Sequence, residues 1–249
     1  ISLNAGAHWT RLMRSLKDYT IDGTGKVIPR PAKVANPILS SSYARIDTLA
    51  YGLPAYLREA HDGKASDLYP PNDWQAFDRL VEQFAHDYES MPNFFSVYNE
   101  PEISWKGTDQ ELARFLDTIA VAIKRVRPTT KILGPGFATI DVKRIRDLAR
   151  LGLLEHLDGI AINGYVDGTP PEDEFIARVR ELKHMLVEIG KPSMPIFITE
   201  FGWTSSKGTW QKPVDELMQA QYAARSLALL RSENVNGFSY FCLLYDADN

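Results

Sequence analysis

Several things are scarce in this chain of 249 residues. A single cysteine, Cys242, permits no intrachain disulfide and no cysteine-rich metal site. No apolar run reaches the roughly 18 residues a membrane-crossing helix needs, so no membrane span is expected. Basic residues form no block, and 28 Lys and Arg against 32 Asp and Glu leave a net charge of −4, so nucleic acid is not an expected partner. His8, His61, His86, His156 and His184 are the five histidines, and no two fall at His-x-x-x-His or a similar ligand spacing. A hydrolytic metal site is therefore a poor reading, and no metal or cofactor is expected. No internal repeat, low-complexity tract or linker divides the chain, which is read as one domain over residues 1–249.

What is present is an ordinary globular balance, 44% hydrophobic and 24% charged, on a chain long enough for one large core. Apolar residues at helical spacing alternate with short apolar runs bounded by Gly, Pro or Asn. The firmest helix covers about Asp73 to Tyr88, where Trp74, Phe77, Leu80, Val81, Phe84 and Tyr88 share a stripe after Pro70 and Pro71. The next opens with a capping box, Thr108 and Glu111, and runs to Val126 before Pro128. Weaker helices are predicted over Val142–Leu151, Glu172–Ile189, closed by Gly190, and Val214–Arg231. Strands are predicted at His8–Met13, Ile46–Tyr51, Phe94–Tyr98, Lys131–Leu133, Gly159–Asn163, Ile196–Thr199 and Gly237–Leu243, whereas Ser15–Ser42 reads as loop. Alternating strands and helices point to an α/β parallel sheet, and their near-regular spacing to a (β/α)8 TIM barrel. Seven strands leave one short. The expectation is a barrel whose first strand lies upstream of Ile1 and whose last helix lies beyond Asn249.

Two apolar strands end in carboxylates. Phe94–Tyr98 is followed by Asn99-Glu100-Pro101-Glu102, and Ile196–Thr199 by Glu200-Phe201-Gly202-Trp203. In a parallel barrel the C-terminal strand ends form the mouth where active sites are built. Glu100 and Glu200 would sit on non-adjacent strands and point into one cavity. Two facing carboxylates suit glycosidic cleavage: one, protonated, protonates the leaving oxygen, while the other, ionised, attacks or supports the oxocarbenium-like transition state. Asn99 could bond a sugar hydroxyl beside the reacting carbon, and Trp105 and Trp203 would offer flat faces to sugar rings. Trp210 reads equally as a packing residue or a platform, and Glu102 as a loop charge.

Asn99-Glu100-Pro101 and Glu200-Phe-Gly-Trp203 resemble the acid/base and nucleophile motifs of the clan A retaining glycoside hydrolases. Within the clan the chain most resembles glycoside hydrolase family 39 and its bacterial exopolysaccharide-cleaving relatives. The resemblance runs from the second barrel strand to the eighth, and implies a (β/α)8 barrel with the glutamates on strands four and seven. It implies Glu100 as general acid/base and Glu200 as nucleophile, Arg11 as the arginine bracing the nucleophile, and Tyr165 as the tyrosine touching it. Two positions depart from the pattern. Asn163 stands where a histidine is often found, and Tyr240 or Phe241 replaces a tryptophan commonly ending strand eight; both positions line the sugar-binding floor in the family.

The expected activity is therefore retaining hydrolysis of β-glycosidic bonds in a poly- or oligosaccharide, with endo action slightly favoured because three tryptophans could stack sugars in a row. The resemblance also implies work outside the cytosol, in a secreted, periplasmic or extracellular setting. A rival from another class is a carbohydrate-binding barrel that turns over nothing, since fold does not dictate function. Its mark would be a spoiled glutamate pair, and both glutamates are present.

Overall fold

A computed structural model describes residues 9–22, 24, 26–29, 44–49, 52–58, 60–61, 64–65, 69–88, 93–207 and 209–241. Seven strands form one sheet: β1 (Trp9–Arg14), β4 (Ala44–Leu49), β7 (Phe94–Ser96), β8 (Lys131–Pro135), β9 (Gly159–Asn163), β10 (Ile196–Phe201) and β11 (Gly237–Tyr240). They are hydrogen-bonded in that order, every pair parallel. Each expected strand is thus found at its place. The predicted strand ends at His8, Ala50, Tyr51, Cys242 and Leu243 lie outside the described residues.

Ser15–Ser42, expected as loop, carries a small antiparallel hairpin of β2 (Tyr19–Ile21) and β3 (Val27–Pro29). Its turn is tied by Asp22, whose Oδ1 accepts from the backbone of Thr24 and Lys26 at 2.8 and 2.9 Å. That local side-chain capture of backbone donors replaces the apolar run that usually marks a strand. Residues 23, 25 and 30–42 of the stretch lie outside the described residues. A second short hairpin joins β5 (Ala60–His61) and β6 (Lys64–Ala65).

The helices follow their sequence signals closely. Helix α1 (Trp74–Asp87) starts where the Asp73 carboxylate caps the backbone of Gln75 and Ala76. It buries Phe77, Leu80, Val81 and Phe84. A four-residue helix α2 (Pro101–Ser104) follows Glu100 and has no apolar period to announce it. The predicted capping box opens α3 (Asp109–Val126), and Phe115 on it stacks on Phe77 with ring centroids 4.6 Å apart. Asp141 and Asp215 cap α4 (Val142–Arg150) and α6 (Glu216–Ser232). A five-residue π turn at Pro171–Phe175 precedes α5 (Ile176–Glu188), so the segment predicted as one helix from Glu172 has two parts.

Strands β9 and β10 are buried along their whole length, as parallel strands covered on both faces must be. The helix stripes and one set of strand residues form a single large core, and a smaller cluster gathers Ile46, Leu133, Ala161 and Phe197 with Phe94 packed against it. Phe94 and Phe197 sit on strands separated by two others, yet their rings are 5.0 Å apart. Only a strongly curled sheet brings them together. The inner cluster is therefore the plugged interior of a barrel-like sheet, and the residues one step further along the strands face its open end.

Candidate active site

The chain leaving β7 passes the buried Val97 and Tyr98 and then turns sharply. At Glu100 the backbone is left-handed, φ 50° and ψ 51°, a conformation costing about 1–3 kcal/mol for a residue with a side chain. Pro101 occupies the first helical position just after it, where a missing N–H costs nothing. The turn is held from the next strand: Glu100 N–H donates to the Gly136 carbonyl at 2.7 Å. Gly136 has φ +81°, and any β-carbon there would collide with the Tyr98 carbonyl, so the site needs glycine.

Glu200 comes from β10, where the pairing shifts between Ile198 and Glu200 against β9 and between Ile198 and Phe201 against β11. Such irregularities re-aim side chains beside functional sites. Here the shift sets Glu200 level with Asn163 of β9. Asn163 accepts from the Thr199 hydroxyl at 2.8 Å and donates its amide to Glu100 Oε1 at 2.8 Å. One buried side chain, paired in the ladder with one glutamate, thus grips the other.

Arg11 completes the arrangement from β1. Its guanidinium bonds and ion-pairs with Glu200 Oε1, donates to Asn99 Oδ1 at 2.7 Å, and donates from Nε to Thr48 Oγ1 at 2.9 Å. Tyr165 donates its hydroxyl to Glu200 Oε2 at 2.8 Å. Glu200 therefore faces a cation and a phenol, both favouring an ionised carboxylate. The Glu100 carboxyl is met by a neutral amide. Among the described residues no group of three His, Cys, Asp or Glu side chains could hold a metal ion, and no helix is long and apolar enough to cross a membrane.

The structure thus gathers Arg11, Asn99, Glu100, Asn163, Tyr165 and Glu200, and sets the tryptophans apart. Trp203 is 3% exposed, packed among Phe175, Phe201 and Tyr222, with its indole N–H given to the Thr169 carbonyl at 2.9 Å. It is a core residue with no face for a sugar, which corrects the expectation. Trp105 lies tilted on Phe115, centroids 5.1 Å apart, and donates to the Thr108 carbonyl; it braces α2 against α3. Phe241 stands half-exposed just beyond β11, its N–H on the Phe201 carbonyl.

Two residues carry more than the sequence suggested. Trp210 is 64% exposed, and its ring meets Tyr165 edge to face at 5.8 Å, one residue away from Glu200. Its loop is pinned by Gln211, which donates to the carbonyls of Val166 and Gly202, and by Lys212 N–H on Asp167. Glu102, read as a loop charge, is instead folded inward. Its Oε1 accepts the Ala138 N–H, and its Oε2 is buried without a hydrogen bond. Burial, and secondarily the charge of Glu100, push its carboxyl up to about 7 against the opposing pull of backbone N–H groups. The signal available in sequence was position: Glu102 lies on the first turn of a helix too short to show a period.

Neither the protein-family models nor the curated proteins contain a match to the sequence. Solved structures do match. A monomeric β-xylosidase from Caulobacter crescentus superposes with a TM-score of 0.72 at 19% identity, over 96% of this chain and 54% of its own. The glycoside hydrolase family 39 enzyme from Xanthomonas axonopodis pv. citri gives 0.73 at 17%, over 96% and 53%. The family 53 catalytic domain of Ignisphaera aggregans gives 0.58 at 15%, over 93% and 72%. The chain thus spans about half the length of the first two. At such identities the likeness is one of fold. It is the barrel fold of glycoside hydrolases, the group that the motifs at Glu100 and Glu200 resemble.

Proposed function

We propose that the chain is the catalytic barrel of a retaining glycoside hydrolase, similar to family 39, that cleaves β-glycosidic bonds of a poly- or oligosaccharide outside the cytosol. The observation that carries this reading is the linkage of the two glutamates. Arg11 joins Glu200 to the residue before Glu100, and Asn163 joins Glu100 to the strand position opposite Glu200.

In this reading Glu200 attacks the anomeric carbon while Glu100 gives its proton to the departing oxygen, forming a glycosyl-enzyme ester. Glu100, now a carboxylate, takes a proton from water, whose oxygen attacks the same carbon and frees Glu200. Arg11 and the Tyr165 hydroxyl hold the attacking carboxylate in one orientation. Arg11 also fixes which way the Asn99 amide turns. A retaining pair needs its carboxyl groups about 5 Å apart, an inverting pair about 6.5–9.5 Å. The row of three tryptophans that favoured endo action is reduced to Trp210, so substrate length is a matter for product analysis.

The test is incubation with a panel of purified polysaccharides and aryl β-glycosides, reading the first product by NMR. Release of a β-anomer first supports the reading. An α-anomer first would show inversion, and binding without any cleavage across the panel would favour a carbohydrate-binding barrel.

A further inference from the structure

Against β9, strand β10 carries one residue too many. Ile198 pairs with Ile162 and Glu200 with Asn163, so a single step along β9 answers two along β10, and Thr199 is the extra residue. In an unbroken strand Thr199 and Glu200 would point to opposite faces of the sheet. The bulge relaxes that alternation. Asn163 stands level with Glu200 in the ladder, and its side chain still meets Thr199, whose hydroxyl donates to Oδ1 at 2.8 Å.

The hydroxyl is expensive where it stands. Thr199 is buried on a strand that is buried throughout, and a valine of the same shape would hide no polar group there. Its proton goes to Asn163, which is itself fully buried and whose own N–H is held by the Phe137 carbonyl at 2.7 Å. With that backbone fixed, the side-chain amide could still present either its oxygen or its NH2 to Glu100, since the two ends have nearly the same shape. Thr199 removes the freedom. Its O–H faces Oδ1, so the NH2 end faces Glu100 Oε1, 2.8 Å away. The reverse orientation would set the amide oxygen against a carboxylate oxygen once Glu100 had given up its proton, two acceptors with no hydrogen between them.

Resting on the acid/base reading of Glu100, we infer that Thr199 is a positioning residue for the general acid: through the Asn163 amide, its hydroxyl fixes which oxygen of the Glu100 carboxyl delivers the proton. An oxygen that accepts an amide N–H serves best as the C=O of a neutral carboxyl, so Oε1 is the acceptor and Oε2 carries the proton. The Oε2 proton then passes to the leaving oxygen as its bond to the anomeric carbon breaks and that oxygen keeps the bonding pair. The resulting carboxylate retains the amide bond at Oε1, and Oε2 takes the proton back from the attacking water. The strand that bears Glu200 thereby orients Glu100 as well, from the residue just before Glu200.

The experiment compares Thr199→Val and Thr199→Ser with the parent on aryl β-glycosides whose leaving groups run from dinitrophenol to phenol. Thr199→Val keeps the shape and loses the hydroxyl. It should lower kcat/KM on the phenyl glycoside by roughly 10–10²-fold and on the dinitrophenyl glycoside by less than about threefold, because only the poor leaving group needs the proton. Thr199→Ser should return the phenyl rate to within about threefold of the parent. Equal losses across the series, no loss at all, or a serine variant no better than valine each overturn the proposal. Thr199→Ala takes the place of the valine variant if that one does not fold. A second measurement is independent of turnover: the Asn163 side-chain amide followed by NMR in ¹⁵N-asparagine-labelled protein, assigned by its loss in Asn163→Ala. Its signal should move in Thr199→Val and in Glu100→Gln, and return toward the parent position in Thr199→Ser. A signal indifferent to either of the first two overturns the linkage. If Glu100→Gln loses no more on the phenyl than on the dinitrophenyl glycoside, the acid/base reading fails on its own account, while the amide signal still decides whether Thr199 turns Asn163 toward Glu100.

Discussion

The two ends of the site are built from different materials. On the β1 and β10 side, Glu200 meets a guanidinium and a phenol, and the guanidinium is itself fixed by Thr48 and Asn99. On the β7 and β8 side, Glu100 sits on a strained turn, meets a neutral amide, and has a second buried carboxyl two residues on. The first setting offers its carboxylate a cation and a phenol, the second a single neutral amide. In the proposed reading, environment, rather than residue type, divides the labour between the two glutamates. The same contrast separates the tryptophans: Trp203 is sealed in the core, and Trp210 is exposed against Tyr165 on a pinned loop.

The sharpest way to break the comparison is to remove each glutamate in turn. Glu200→Ala deletes the proposed nucleophile and should lower kcat on aryl β-glycosides by on the order of 10⁴-fold or more. Glu100→Gln deletes only proton transfer and should cost about 10²–10⁴-fold on poor leaving groups, with dinitrophenyl glycosides spared in the first step. Equal losses on good and poor leaving groups would erase the distinction.

Arg11→Met tests the cationic side. It leaves Glu200 buried beside a phenol without its charge partner, and breaking such a pair costs about 3–5 kcal/mol of stability, read by denaturant unfolding. The tryptophans should split in kind. Trp203→Ala opens a cavity worth about 3–5 kcal/mol. Trp210→Ala should leave stability within about 0.5 kcal/mol but raise KM several-fold, the loss of about 1 kcal/mol of stacking.

The last test concerns Glu102 and reads a change with pH. Its folded-state pKa, about 7, lies above the ordinary 4.5, so the folded chain binds more protons between those values and loses stability as pH rises through that window. Glu102→Gln lacks this loss. Its melting temperature relative to the parent should therefore be higher at pH 8 than at pH 5, by an amount on the order of 1–3 kcal/mol in stability. A difference that does not change with pH would remove Glu102 from the electrostatic picture.

The curled parallel sheet and its helices were legible because apolar strands and amphipathic helices each leave a period. The capping box at Thr108 and the stripe from Phe77 to Phe84 place two helices almost to the residue. The hairpin at Tyr19–Pro29 was hidden because Asp22, a local polar device, organises it in place of hydrophobic alternation. Glu100 and Glu200 could be found because each ends an apolar strand. Trp203 misled because nearness in sequence to Glu200 was taken as nearness in space; an alternation starting from Glu200 sends Phe201 and Trp203 to the helix side. Glu102 escaped because burial of a lone carboxyl follows from the loop that folds over it, which the sequence does not announce.

The most direct measurement is covalent trapping with a 2-deoxy-2-fluoro β-glycoside that carries a good leaving group, followed by peptide mass spectrometry. The account predicts one sugar per chain, esterified to Glu200, and no such adduct in Glu200→Ala. A label on another carboxylate, or steady cleavage of the parent glycoside with no trapped ester at all, would contradict it.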